Sequence, residues 1–313
     1  MFMEPIINVE QLVKRYKNAE TNAVDGISFS VAPGEFFALL GPNGAGKTTT
    51  ISILTTTLTP TAGSALIAGQ DVAQNPSAVR RKVGIIFQQP SLDLNLTAEE
   101  NIRFHVILYG LHAFRPTFST MPGEYRQQVE ELADILGLAG DIFKPIKTFS
   151  GGMKRKLEIM RSLMHRPQVL FLDEPTVGLD PASRRNLWEY IRRVQAESGT
   201  TVFLTTHYLD EAEGADRIYI INKGRIVSEG TPAQVKAELI EEYLLIDAVD
   251  RAQLRAELSR LDIPFMETPA FRIYLNGDRT AHQIIKAIDT PLTLVRTHSP
   301  TLEDAYLQIV GYV

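Results

Sequence analysis

The chain has 313 residues, carries a formal net charge of −5 and contains no cysteine. Without cysteine it has no disulfides, thiolate metal sites or cysteine nucleophile. The missing basic excess argues against a nucleic-acid partner. The length predicts about two domains. No uncharged apolar run approaches the roughly 20 residues that a membrane-spanning helix needs. If the protein serves a membrane process, we expect another chain to span the membrane.

Apolar patterning predicts two kinds of strand in the first half of the chain. Segments 7–10 and 24–31 alternate polar and apolar residues, which is typical of half-buried antiparallel strands. Runs 36–40, 169–172 and 202–204 are continuously apolar, as in central strands covered on both faces. Because ligands of open α/β sheets bind at the carboxyl ends of strands, we expect the residues after these runs to converge.

Run 36–40 leads into the glycine-rich turn GPNGAGKT. Glycines let such a turn expose successive backbone N–H groups toward an anion, and Lys47 adds a positive charge. Residues 48–54 can then begin a helix, whose N-terminus also favours phosphate. The pattern GxxxxGK[ST] predicts a triphosphate site with the Thr48 hydroxyl on Mg²⁺, whereas a bare glycine turn is the alternative. The residues assigned to nucleotide binding here are Gly41, Pro42, Asn43, Gly44, Ala45, Gly46, Lys47, Thr48 and Thr49.

The next part of the chain has helical patterns. Thr97-Ala98-Glu99-Glu100 predicts a capping box for a helix that ends near Gly110, and 125–137 continues helical. Between them, segment 114–123 contains two prolines and predicts an exposed loop. Farther on, Asn222-Lys223-Gly224 predicts a hairpin turn.

After about residue 240, short strands and helices alternate. The expected strands are 243–248, 271–275 and 292–294, and the expected helices are 251–261, 282–288 and 302–310. They predict a small α+β domain over residues 239–313. Nothing in this domain has catalytic spacing, so we interpret it as a structural, dimer-forming or regulatory module.

Two further motifs bring polar groups to the expected sheet edge. Run 169–172 ends in Asp173 and Glu174, and successive residues that leave a strand can point in different directions. We expect Asp173 to hold Mg²⁺, and Glu174 to orient or deprotonate the water that attacks the γ-phosphate. An isolated Asp-Glu pair is usually a surface turn. Ser150-Gly151-Gly152 is either an N-cap with flexible glycines or a second anion cradle.

Taken in order, the motifs resemble those of the ABC-type ATPase cassette. They are the phosphate loop, Phe87-Gln88, Phe149-Ser150-Gly151-Gly152, Asp173-Glu174, Gly178-Leu179-Asp180 and Thr206-His207. The resemblance covers about residues 5–238 and implies an α/β P-loop NTPase fold. That fold has a mixed central sheet, an antiparallel β subdomain and a helical subdomain at about 98–165. We therefore place the cassette at 1–238.

The resemblance also implies roles for single residues. Tyr16 looks like the aromatic residue that stacks on adenine, although it could be an ordinary strand aromatic. Gln88 resembles the catalytic glutamine that senses Mg²⁺ and the attacking water, or is a turn residue. His207 resembles the γ-phosphate switch histidine, although it is one of six histidines.

In such cassettes a complete site needs two chains. Ser150, Gly151 and Gly152 would contact the nucleotide held by Lys47 of a second copy, and Asp180 resembles the residue that links the two sites. The simplest closure is a C₂ homodimer over two ATP molecules with Mg²⁺. Because each composite site carries Glu174, we expect both to hydrolyse ATP.

Segments 91–101 and 299–307 resemble the ATPase subunits of bacterial drug-resistance-type exporters, which work with a separate membrane permease. The resemblance implies a peripheral subunit on the cytoplasmic face of the membrane, where 98–165 and the Gln88 region receive a permease helix. The exported substrate would be drug-like, a lipid or a glycoconjugate. One alternative is a soluble ABC ATPase that remodels a macromolecular complex. The other is a cassette regulated by a ligand-binding C-terminal domain.

Overall fold

A computed structural model describes residues 4–86, 91–237, 242–267, 269–275, 279–298 and 301–310. The strands are β1 (Ile7–Lys14), β2 (Val24–Val31), β3 (Phe36–Leu40), β4 (Ala62–Ile67), β5 (Gln70–Asp71), β6 (Val83–Ile86), β7 (Val169–Asp173), β8 (Thr201–Thr206), β9 (Arg217–Asn222), β10 (Arg225–Gly230), β11 (Tyr243–Ala248), β12 (Met266–Glu267), β13 (Phe271–Tyr274) and β14 (Leu292–His298). The α-helices are α1 (Lys47–Leu54), α2 (Pro76–Lys82), α3 (Ala98–Leu108), α4 (Gly123–Leu136), α5 (Gly151–Leu163), α6 (Pro181–Ser198), α7 (Leu209–Ala212), α8 (Pro232–Ala237), α9 (Arg251–Arg260), α10 (Ala281–Ala287) and α11 (Leu302–Val310). The chain divides into two compact units, Met1–Glu229 and Gly230–Val313.

The first unit contains an antiparallel sheet in the order β2-β1-β4-β5. Strands β1 and β2 pair with Ile7 opposite Val31 and Lys14 opposite Val24. The apolar residues of the alternating pattern are buried, as Ile7 and Val9 illustrate. The alternation therefore predicted both the antiparallel pairing and the buried face correctly.

A second sheet of the first unit has the order β10-β9-β3-β8-β7-β6. Its inner strands pair in parallel, with Leu40 opposite Thr206 and Asp173 opposite Thr205. Strands β9 and β10 are joined by Lys223 and Gly224, which both have positive φ, 47° and 80°, as a type I′ hairpin turn requires. The carboxyl ends of β3, β7 and β8 thus lie side by side at one edge, as expected.

An aromatic cluster lies in the core behind this edge. The Phe37 ring on β3 is fully buried, and its centroid lies 5.3 Å from that of Phe29, 4.9 Å from that of Phe203 and 5.0 Å from that of Tyr219. These four residues come from four strands. They fix the spacing of the strands that carry the phosphate loop.

Helices α3, α4 and α5 lie between β6 and β7 in the chain. The capping box at the start of α3 is present, with the Thr97 side chain accepting from the Glu100 backbone N–H. Segment 114–123 is largely exposed, as predicted, but it also contains a short 3₁₀ helix, Phe118–Thr120, and buries Met121. Arg103 anchors the segment by donating to the carbonyl oxygens of Arg115 and Pro116 at 2.8 and 2.7 Å.

The second unit is a four-stranded antiparallel sheet in the order β12-β13-β11-β14. Its core contains residues of both sheet and helices, including Leu244, Phe271, Leu254 and Ile284. Strand β11 and helix α11 have the expected bounds, whereas β14 extends beyond the expected 292–294 and β12 was not predicted. Helix α8 belongs to this unit because it contacts α11, so the division falls earlier in the chain than the expected 238.

Within the residues that the structure describes, no helix combines the length and the apolar composition that crossing a bilayer requires.

The first prediction concerns the aromatic cluster. Phe37→Ala should lower the free energy of unfolding of the first unit by about 3–5 kcal/mol, because it removes a fully buried ring and leaves a cavity. Denaturant titration followed by the fluorescence of Trp188, the single tryptophan of the chain, measures this change. Phe114→Ala is the control: its ring is 62% exposed, so the free energy should change by no more than about 0.5 kcal/mol. Equal effects of the two substitutions would contradict the assignment of Phe37 to the core.

Candidate nucleotide-binding site

The phosphate loop follows β3 and ends where α1 begins at Lys47. Gly46 has φ 114°, and a Cβ there would lie 2.5 Å from the carbonyl oxygen of Ala23. A Cβ on Gly41 would lie 2.3 Å from the carbonyl oxygen of Ile221. These two glycines are therefore required by close packing of the loop against neighbouring backbone, as well as by its curvature.

The Lys47 side chain crosses the inside of this loop. It is 4% exposed, and its ammonium donates to the carbonyl oxygens of Gly41 at 2.7 Å and Pro42 at 3.1 Å. Burial lowers the pKa of Lys47, while the negative charges of Glu174 and Asp173 act in the opposite direction. The lysine is thus a buried cation with two carboxylates nearby.

Asp173 is the last residue of β7 and is 1% exposed. Its Oδ1 accepts from the Thr205 hydroxyl at 2.5 Å, and its side chain is also hydrogen-bonded to Thr48. Burial raises the pKa of Asp173, and these hydrogen bonds oppose the rise. The Thr48 hydroxyl and the Asp173 carboxylate are hard oxygen ligands next to the loop, which is a donor set that fits Mg²⁺.

Glu174 and His207 face each other across the edge of the sheet. Glu174 has a left-handed backbone, φ 48°, and its N–H donates to the carbonyl oxygen of Thr205 at 2.9 Å. Its Oε1 lies 3.1 Å from His207 Nδ1. The side chains of Asp173 and Glu174 therefore reach different partners although the residues are adjacent, because the backbone turns sharply at the end of the strand.

Lys47, Glu174 and His207 line a cleft of about 480 Å³, whereas the buried Asp173 is not part of its lining. The residues that line it are Ala23, Asn43, Gly44, Gly46, Lys47, Thr48, Thr49, Glu174, Val177, His207 and Tyr208. Parts of the chain that are far apart in sequence thus come together, and their polar groups suit a phosphate chain.

Other predicted site residues lie apart from this lining. The Ser150 hydroxyl caps α5 by accepting from the Met153 N–H at 3.2 Å. Asp180 caps α6 by accepting from the N–H groups of Ala182 and Ser183, and hydrogen bonding to Ser183 holds its pKa below the usual value. Among the described residues that line the cleft, none comes from 150–152, and Asp180 is absent as well.

Tyr16 lies next to the loop at the start of α1. Its ring is 46% exposed, and its hydroxyl is 3.2 Å from Thr49 Oγ1. This position is open enough for a planar group to stack on the ring. Gln88 lies outside the described residues.

Glu211 is a buried residue that the sequence motifs did not single out. Its carboxylate accepts hydrogen bonds from the hydroxyls of Thr176 and Thr206, and burial raises its pKa. Thr176 follows Glu174 by two residues and Thr206 precedes His207, so Glu211 joins the two loops that face each other. No local pattern indicates this role, because Thr176 is distant in sequence.

A phosphate loop with a buried lysine, beside a carboxylate at the carboxyl edge of a parallel sheet, defines a P-loop nucleotide-binding ATPase. The family model described as ABC transporter matches residues 24–177. The chain is 39% identical to the daunorubicin/doxorubicin resistance ATP-binding protein DrrA of Streptomyces peucetius, over 98% of this chain and 92% of the relative. It is 37% identical to the Nod factor export ATP-binding protein I of Burkholderia pseudomallei, over 97% of each chain.

Solved structures agree with these sequence relatives. The ATP-binding subunit of an ABC transporter aligns with a TM-score of 0.66 and 30% identity, over 74% of this chain and 92% of that chain. A dimeric ATP-binding cassette bound to ADP and Pi aligns with a TM-score of 0.64 and 27% identity, over 72% and 98%. The chain belongs to the ABC transporter family, as an ATP-binding subunit with ATPase activity.

The second prediction concerns Lys47. Lys47→Ala should weaken ATP binding by about 10- to 100-fold, because it removes charge-assisted hydrogen bonds of about 1.5–3 kcal/mol from a buried site. Equilibrium titration with a fluorescent ATP analogue measures the dissociation constant. Lys286→Ala is the control, because it removes an exposed lysine of the second unit and should leave the constant unchanged. Equal affinities of wild type and Lys47→Ala would contradict the phosphate-binding role.

Proposed function

We propose that this chain energises export of a drug-like, lipid or glycoconjugate substrate through a separate membrane permease, from the cytoplasmic face of the membrane. The observation that carries the proposal is the extent of the similarity. The relatives named for daunorubicin resistance and for Nod factor export match over 97–98% of this chain. They therefore match the unit at 230–313 as well as the cassette.

We assign Mg²⁺ to Thr48, which lines the cleft, and to Asp173, which is hydrogen-bonded to Thr48. The support is their mutual hydrogen bond, the burial of Asp173 and the oxygen-only donor set. When bound, Mg²⁺ would neutralise charge on the β- and γ-phosphate oxygens. Lys47 is assigned to the same phosphates, because its buried ammonium lies at the phosphate loop, where it donates to the carbonyl oxygen of Gly41. Gln88 remains a predicted third contributor outside the described residues.

Glu174 is the residue that we assign to the attacking water. It directly follows the apolar strand β7 and lines the cleft, and its Oε1 lies 3.1 Å from His207 Nδ1. A carboxylate there can accept a proton from water or orient it. His207, with a side chain that is 39% exposed, is assigned to the γ-phosphate and to holding the Glu174 carboxylate in position.

We further propose that two copies close head to tail over two ATP molecules. The segment at Ser150 supports this arrangement because helix α5 begins there and the segment does not line the cleft of its own chain. Ser150 is exposed, and a Cβ on Gly151 would meet nothing within 4 Å. The backbone of this segment is therefore open to a phosphate held by a second copy. Asp180, at the start of α6, is assigned to the contact between the two sites.

The unit at 230–313 is assigned a structural, dimer-forming or regulatory role. Its sheet and helices form their own core, so it can fold around that core without contributing to the nucleotide cleft. Tyr16 is assigned to adenine stacking because of its open ring beside Thr49.

The third prediction concerns Glu174. Glu174→Gln should bind ATP as well as wild type but lose hydrolysis by about 10²-fold or more, because the amide cannot accept a proton. Phosphate release measures turnover, and nucleotide binding is measured separately. An ATP-bound dimer should accumulate on size-exclusion chromatography. Glu189→Gln, an exposed glutamate on α6, is the control with normal turnover. Normal turnover of Glu174→Gln would refute the assignment.

The fourth prediction uses the absence of cysteine from the chain. One copy carries Ser150→Cys, a second carries Asn43→Cys in the phosphate loop, and both carry Glu174→Gln. With ATP, oxidation should join the two different copies into a disulfide-linked dimer, because Ser150 would face the phosphate loop of the other copy. Copies that all carry Ser150→Cys should not cross-link. A non-reducing gel distinguishes the mixtures. Cross-linking to the same extent with and without ATP would contradict head-to-tail closure.

A further inference from the structure

Helix α5 carries a buried ion pair whose position the nucleotide cleft does not explain. Arg155 is 5% exposed and Glu158 is 2% exposed. Arg155 Nη1 lies 3.2 Å from Glu158 Oε2. A buried ion pair is generally no more stabilising than apolar residues of the same volume, because both charges lose their hydration. Its presence therefore calls for an explanation beyond the stability of the helix.

The arginine holds the backbone at the catalytic end of β7. Arg155 Nε donates to the carbonyl oxygen of Pro175 at 2.8 Å. Its Nη2 donates to the carbonyl oxygens of Asp173 and Glu174 at 3.2 and 3.1 Å. One planar guanidinium thus contacts three successive carbonyl groups, where the backbone of Glu174 takes its left-handed conformation.

The glutamate holds a different segment. Glu158 Oε1 accepts from the Ser91 N–H at 2.8 Å. Arg161, one turn further along α5, donates to Ser91 O at 2.7 Å and to Ser91 Oγ at 2.6 Å. Ser91 is the first described residue after the stretch that contains Gln88. Ser91 is therefore fixed to α5 by two side chains, one helical turn apart.

These contacts form a continuous path from Ser91 through Glu158 and Arg155 to the backbone of Glu174. Every link is a hydrogen bond or an ion pair between groups that point in fixed directions. Both charged residues project from one 13-residue helix, which is stiff along its length. A displacement of the chain at Ser91 must therefore either break the path or move the carbonyl groups beside Glu174.

We propose that Arg155 and Glu158 are positioning residues that couple the segment beginning at Ser91 to the backbone of Glu174. The inference rests on the proposed role of Glu174 and deepens it. Neither residue touches the reacting atoms. They set the orientation of the Glu174 carboxylate according to the state of the segment at Ser91, which is the region proposed to receive the permease.

The test replaces both charges together. Arg155→Met with Glu158→Leu removes the pair without leaving a lone buried charge, so the fold should persist, as thermal unfolding verifies. We expect kcat to fall by about 10- to 100-fold, because small displacements of a catalytic group have effects of that size. The KM for ATP should stay within about threefold, because the phosphate loop is untouched.

A second readout reports the coupling itself. A spin label on Asn95→Cys, which is exposed in the segment after Ser91, should change mobility when ATP binds to the otherwise unmodified chain. In the double variant this response should disappear. Arg155→Lys should give the same pattern more weakly, because an ammonium cannot reach all three carbonyl groups and Glu158 together.

The matched control is the i,i+3 pair of the partly exposed Asp141 and the exposed Lys144, with its ion pair at 2.6 Å. Asp141→Leu with Lys144→Met should leave both kcat and the label response unchanged. Unchanged kcat in the Arg155/Glu158 double variant overturns the proposal, as does a label response that persists there or is missing in the parent chain. Glu174→Gln in the labelled chain tests the proposed role of Glu174 separately. Normal turnover of that variant would refute the role of Glu174 itself, whereas the outcomes above concern only the coupling through Arg155 and Glu158.

Discussion

The buried ammonium of Lys47 is the charge on which the rest of the site depends. It lies against the loop carbonyls of Gly41 and Pro42 and near the carboxylates of Asp173 and Glu174. A charge so poorly hydrated is tolerable only where compensating groups are held in place. The aromatic cluster around Phe37 and the parallel pairing of β3, β7 and β8 provide that rigidity. The charge arrangement of the cleft therefore depends on the packed core of the sheet.

The turn after β7 directs two adjacent carboxylates toward different partners. Asp173 remains in the sheet, bonded to Thr48 and Thr205, whereas Glu174 has φ 48° and reaches toward His207. A left-handed conformation is unfavourable for a residue with a Cβ and persists only where surrounding contacts determine it. Here those contacts are the Glu174 N–H bond to Thr205 and the Arg155 bonds to the carbonyl groups. Glu211 adds a second brace by joining Thr176 to Thr206.

Much of the secondary structure followed from local pattern. The capping box at Thr97 and the Lys223–Gly224 turn form as expected, because short-range hydrogen bonds and positive φ depend on the residues themselves. Segment 114–123 was predicted only in part, since the Arg103 bonds that anchor it come from a neighbouring helix. The extension of β14 likewise depends on its pairing with β11.

By itself the sequence determined the phosphate loop, the strand that precedes it and the carboxylates that end β7, because each is a contiguous run with its own backbone and charge requirements. It also determined the family, through the order of the motifs. Only the tertiary structure decided that Arg155 reaches three carbonyl groups on another element, that Glu158 holds Ser91, and that Glu211 joins two loops. Such contacts join residues that are distant in the chain. The local sequence around a side chain does not specify which distant backbone groups it will contact once the helices and the sheet have packed.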